Sequence, residues 1–438
     1  MLTATPLPTV EPMPPRAPGW LPWIGSGLSL LRNPTEFFRQ TRDTLGDTFL
    51  VDAFGYRLFC VFAPEGVRQL YALPESQASF GLATYELVLK RKLPLELLAG
   101  RRNFPHTLFA KQEVEEYLDN LEGAMRLQLD ELGDAGAFEL FAAMRRLGHR
   151  LGLSSWAGPE AASPAYLDRL VPLFDRLDSG DSFVRPAQAV VTYVTRKRRE
   201  RAAMQGIESI VSGILAARAR RGTRVGDYLD RIYDSYADLP TPERAIHTAR
   251  DIMIIHMGAQ SNLYAALGWT LVNLLLHPAY LDQVAAGDDG LLEQCANESI
   301  RMAQRSITLR QTLTTTQVTD GARTFALAPG VMLTTMLSVT NTSAAPELRV
   351  FDPAHYEGRK LSERISLPAR ELVSTFGHGR HACPAQRFSI SAIRIAVRRL
   401  VDRYHLEPRF RTVVPRRQQI GGVARAAHPC VVGYRRRS

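Results

Sequence analysis

A large, mostly α-helical fold with smaller β-sheets is what this sequence predicts, and three observations carry the prediction. Apolar residues recur at helical spacing over residues 114–129, 189–217 and 246–276. Short apolar runs at 49–62 and 324–335 read as strands. No glycine- or serine-rich linker divides the 438 residues, and no internal repeat is evident.

In chain order, the proline-rich start from Pro6 to Pro22 can run extended before the first helix and strand. The 49–62 run follows it. The basic run Arg196-Lys197-Arg198-Arg199-Glu200-Arg201 falls inside the helix predicted over 189–217. It carries no interleaved aromatic platform, so it reads as a solvated helix face and not as a nucleic-acid site. The long 246–276 segment contains Gly258-Ala259-Gln260-Ser261-Asn262, where glycine permits a close approach. No stretch reaches the length and apolarity of an integral membrane span. Cys60, Cys295, Cys383 and Cys430 show no close pairing, which favours a reducing compartment. The formal charge of +10 comes overwhelmingly from arginine and does not by itself choose a partner.

The segment Phe376-Gly377-His378-Gly379-Arg380-His381-Ala382-Cys383-Pro384 is the most informative. Its glycines permit a tight turn, and Pro384 favours a helix start. A cysteine at such a boundary is expected to be a low-pKa thiolate. An ordinary buried cysteine and a zinc site using His378 and His381 are the competing readings, the latter without a convincing four-ligand set. Upstream, Glu298-Ser299-Ile300-Arg301 puts a carboxylate and a guanidinium on one helix face. Phe351-Asp352-Pro353-Ala354-His355-Tyr356 follows.

In this order the motifs resemble the cytochrome P450 family. Phe376, Gly379 and Cys383 match its haem-binding segment, while Ala385 replaces the last glycine. The resemblance, which runs roughly from Pro14 to Tyr434, implies the cytochrome P450 fold over a single domain, residues 1–438, and haem b as cofactor. It implies Cys383 as the metal ligand, Arg310 and His381 as contacts to the haem propionates, and a structural network of Glu298, Arg301 and His355. His378 is open between propionate contact and local packing. His106 and Lys111 depart from the family's spacing for haem-contacting basic residues.

The distal segment departs further. In one register Ser261 stands for the family's acid and Asn262 for its alcohol; in the other, Gln260 and Ser261 do. Either register loses the acid. Gln260-Ser261-Asn262 is similar to the pattern of the sterol 7- and 12-hydroxylase and prostacyclin synthase branch. Apolar residues within 80–98 and the Gly421-Gly422-Val423 turn are candidates to line substrate access.

The family resemblance implies a monooxygenase that hydroxylates a lipophilic small molecule, a sterol or terpenoid, using dioxygen and external electrons. A ferredoxin and an NAD(P)H-dependent ferredoxin reductase are the expected partners, with Arg387, Arg394, Arg398 and Arg399 as candidates for docking them. Ile254, Met257 and Ala259 are expected to favour an apolar substrate. The expected location is the cytoplasm, with peripheral membrane contact left open. A haem-thiolate isomerase or dehydratase and a haem sensor without turnover are the alternatives.

Overall fold

The helix Thr241–Leu276 organises the molecule; its 36 residues span about 54 Å at 1.5 Å per residue. Its apolar residues are not confined to one stripe, so it requires cover on nearly every side. The helices Leu140–Trp156, Arg198–Arg221, Asp289–Ala303 and Gln386–Arg403 supply that cover and share the largest apolar cluster with it. This architecture is that of a computed structural model, which describes residues 12–19, 21–102, 114–178, 192, 194–358 and 360–437. Among the described residues no helix is long and apolar enough to cross a membrane.

The long helix starts ahead of the predicted Ile246 because Pro240 and Pro242 suit its first turn, where a missing N–H costs nothing. Helix Val114–Leu132 also outruns its prediction. The basic run requires a correction. Arg196 and Lys197 have φ of 48° and 58°, so the chain turns there and the described helix begins only at Arg198. Lys197 Nζ donates to the carbonyls of Lys90 and Leu93 at 2.6 and 2.8 Å. Glu200 is buried beside Lys92, at 3.4 Å. These residues dock one corner of the fold, while Arg198 and Arg199 remain exposed.

Among the described residues ten strands form three sheets: β1 (Thr48–Ala53), β2 (Tyr56–Val61), β3 (Ala78–Ser79), β4 (Ala135–Glu139), β5 (Ile307–Thr312), β6 (Thr316–Thr319), β7 (Thr324–Leu327), β8 (Met332–Met336), β9 (Tyr404–Pro408) and β10 (Val431–Arg436). The five-stranded sheet has the order β1-β2-β8-β5-β3, and β4-β10-β9 and β6-β7 form the others. Alternation places Phe49 and Val51 in one apolar cluster and Leu50 in another, so both faces of the larger sheet are covered. The predicted 49–62 run is a hairpin, since Phe54 and Gly55 turn with φ of 52° and 82°. Strand β5 leaves the Asp289–Ala303 helix and carries Thr308 and Arg310. The segment after β9 returns as a turn at 421–423 before β10.

Candidate active site

The Cys383 loop is closed by its own backbone: the Cys383 N–H donates to the Phe376 carbonyl at 2.6 Å. Gly377 has φ of 79°, and a Cβ there would lie 2.6 Å from the His381 carbonyl oxygen. Only glycine fits that turn. The helix that follows begins at Gln386 with Ala385 as its N-cap, so Cys383 and Pro384 both precede it. This corrects the expected helix start. Burial pushes the Cys383 thiol up, and the Ala385 backbone N–H opposes it more weakly. The low-pKa thiolate expected from the sequence is therefore not produced by protein groups alone; a coordinated metal deprotonates such a thiol outright.

Cys383 shares a cavity of ≈ 450 Å³ with Ile254, Gly258, Ala259, Asn262 and Val423. A Cβ added at Gly258 would meet nothing within 4 Å, so the long helix leaves open space where it lines the cavity. A soft sulfur donor beside a predominantly apolar slot, with His381 also in its wall, fits a haem group. Among the described residues no group of three or more metal-ligating side chains competes as a metal site. Met257 packs against the core cluster and is not in the cavity wall.

The Glu298 network is fully assembled. Arg301 Nε and Nη2 donate to Glu298 Oε2 and Oε1 at 2.7 and 2.5 Å, and His355 Nδ1 lies 3.0 Å from Oε1. Arg301 Nη1 also donates to the carbonyls of Asn341 and Leu348, at 2.5 and 2.9 Å. Both Glu298 and Arg301 are wholly buried, so the pair is sustained by complete hydrogen bonding. Asn341 Oδ1 accepts the Ser374 N–H at 2.8 Å, which links this network to the segment that leads into the cysteine loop.

Other candidates are distributed differently. His381 lines the cavity and points Nε2 at Glu75 Oε1, 3.1 Å away. Arg310 is buried outside the cavity wall, with Nε on the Ala78 carbonyl at 2.8 Å. His378 places Nε2 2.9 Å from the Val373 carbonyl and its ring edge-on to Tyr71, which is local packing. Asn262 faces the cavity, whereas Gln260 is buried away from it with no hydrogen-bond partner for Oε1. Ser261 is half-buried and also outside the cavity wall. Of the access candidates, Phe80 and Val423 line the cavity, while Leu93 and Leu97 belong to the core. His106 and Lys111 lie outside the described residues.

Sequence reasoning missed Glu75, Tyr71 and Thr308. Thr308 and Arg310 share one face of β5 by the two-residue strand period, a signal that could have placed Thr308. Glu75 offered no such signal.

Cysteine turn, buried Glu298 pair and long distal helix together resemble the arrangement of a haem-thiolate protein. No protein-family profile matches the chain. It is 21% identical to the 24-hydroxycholesterol 7-alpha-hydroxylase of Mus musculus over 97% of this chain and 93% of that protein. Identity is 23% to abscisic acid 8'-hydroxylase 3 of Oryza sativa subsp. indica, covering 90% and 81%. It is also 23% to the sterol 14-alpha demethylase CYP51C of Gibberella zeae, covering 95% and 89%. Over 90–97% of its length the chain is similar to these cytochrome P450 hydroxylases, and it is a haem b-dependent oxidoreductase of the monooxygenase type.

Proposed function

We propose that this chain hydroxylates a lipophilic small molecule, a sterol or terpenoid, as a single domain that receives electrons from a separate ferredoxin and its NAD(P)H-dependent reductase. The observation that carries this reading is the shared cavity of Cys383 and the Gly258–Asn262 stretch, whose wall is mainly apolar. Cys383 would hold the haem iron from one wall, and His381, with Arg310 behind it, would serve the haem carboxylates. When bound, haem supplies dioxygen activation, which a cysteinate ligand favours.

The residues of this chain then do five things. Cys383 provides the thiolate. Ile254, Ile255 and Leu263 exclude water and present apolar surface to the substrate. Asn262 donates a hydrogen bond into the cavity and orients an oxygen or water there. The Glu298–Arg301–His355 network holds the cysteine loop in place through Asn341 and Ser374. Gln260 and Ser261 support the distal helix from outside the cavity wall. All four cysteines are free, which fits a reducing compartment such as the cytoplasm.

The test is incubation with oxysterols and other lipophiles, with ferredoxin, reductase and NAD(P)H. A hydroxylated product that requires NAD(P)H is the expected result; turnover of a hydroperoxide without electrons would instead make the protein an isomerase. Cys383→Ala should abolish the red-shifted Soret band of the reduced carbon monoxide complex. Retention of that band would remove Cys383 as ligand.

A further inference from the structure

The donors that would serve the haem carboxylates are already engaged by a carboxylate of the protein. Glu75 Oε1 receives His381 Nε2 at 3.1 Å, the Phe80 N–H at 3.2 Å and Arg310 Nη2 at 3.4 Å. Arg310 is otherwise committed: Nε donates to the Ala78 carbonyl at 2.8 Å, and Nη1 to Leu70 at 3.0 Å and to Leu73. Those three carbonyls belong to the backbone and prevent the guanidinium from turning. Its edge toward a carboxylate is the edge that Glu75 covers.

We propose that Glu75 is a displaceable gate over the carboxylate seat formed by His381 and Arg310. The proposal rests on the reading of Cys383 as the haem ligand. A haem propionate that reaches His381 and Arg310 competes with Glu75 for the same donors, and two carboxylates at one set of donors repel. The contest is unequal in mobility. Arg310 is only 1% exposed and fixed, whereas the Glu75 side chain is 44% exposed and can turn into solvent. Glu75 therefore keeps the two donors ordered and opposes retention of the cofactor by a modest, screened amount.

This distinguishes a gate from a permanent support. As a support, Glu75 would orient His381 through Nε2 and strengthen cofactor binding. As a gate, its charge weakens binding. Glu75→Gln removes the charge and keeps an acceptor for the Phe80 N–H, so it separates the two roles.

The experiment measures transfer of haem from wild-type and Glu75→Gln holoprotein to excess apomyoglobin, with Glu75→Ser as a second variant should the first fail to fold. Both variants should lose haem roughly two- to fivefold more slowly than wild type, the size expected of a partly exposed charge. Added salt should slow wild-type loss towards the variant rate, because it screens the repulsion. Equal or faster loss from the variants overturns the gate. The carbon monoxide Soret band of the wild type is recorded first. Without a thiolate-type band, the Cys383 reading and the gate both fall; with it, unchanged transfer rates overturn the gate alone.

Discussion

Asn262 Oδ1 accepts the backbone N–H of Val423 at 2.9 Å and so ties the distal helix to the C-terminal turn. The turn is built for this contact. Gly422 has φ of 62°, and a Cβ there would sit 2.3 Å from Asn262 Oδ1. Ser306 Oγ accepts the Gly422 N–H at 3.0 Å, which anchors the turn to the start of β5. With its oxygen held, Asn262 keeps its NH₂ as the remaining donor at the cavity wall, one that does not itself titrate.

Replacing Asn262 with alanine should lower product formed per NAD(P)H several-fold and raise peroxide release, with the Cys383 signature intact. Gly422→Ala should move the same quantities in the same direction, since its methyl group would displace the Asn262 oxygen. Unchanged coupling in both variants would show that this contact does not control the distal side.

The Glu298–Arg301 pair is 0% exposed on both sides, so loss of either member strands a buried charge. Arg301→Ala should cost about 3–5 kcal/mol in urea unfolding and reduce haem occupancy. A loss below ~1 kcal/mol would contradict the burial argument. Arg301→Lys should recover little, because a single ammonium cannot reproduce the fork that spans both Glu298 oxygens.

Electron-partner docking depends on which arginines are available. Residues 379–438 carry fourteen arginines against Asp402 and Glu407, a local +12 beside +10 for the whole chain. The structure separates the four candidates. Arg394 and Arg398 pair with Asp289 at 3.3 and 2.6 Å, and Arg399 pairs with Glu122 at 3.0 Å. Arg387, close to Cys383, is exposed without such an ion pair among the described residues. Arg387→Glu should slow reduction by ferredoxin several-fold at low salt and leave substrate affinity unchanged, while Arg399→Glu should do less. Equal reduction rates for wild type and Arg387→Glu at low salt would exclude docking there.

His149 and His256 form a buried pair with Nδ1 and Nε2 2.8 Å apart. Burial, followed by the cations of Arg145 and Arg425, pushes His149 down to about 3. Burial, followed by His149, pushes His256 well below its ordinary range. Folded-state pKa values below the unfolded value of about 6.5 mean that the unfolded chain takes up protons first. The associated stability is complete above pH ~6.5 and falls as pH drops towards ~3, by at most about 2 kcal/mol per histidine at pH 5. Urea midpoints between pH 7.5 and 5 should show the decline. The double variant His149→Leu, His256→Phe should flatten it, and an unaltered slope would assign the acid sensitivity elsewhere.

The sequence by itself determined the chemistry of the centre. Gly377 and Gly379 announce the cysteine turn because few other residues tolerate positive φ. Glu298 and Arg301 meet because a helix brings residues three apart together, and the helical apolar spacing from Ile246 to Leu276 marks the long helix. Tertiary structure alone decided the partners that come from distant segments. Helical spacing placed Gln260, Ser261 and Asn262 on one helix, but only packing against Val423 and the neighbouring helices put Asn262 into the cavity and buried Gln260 outside it. Likewise, Glu75 reaches His381 across most of the chain, and Asp289 and Glu122 take up arginines that the sequence leaves free. Local periodicity fixes which face a residue occupies; which side chain meets it there depends on long-range burial and charge, for which a single sequence carries no spacing rule.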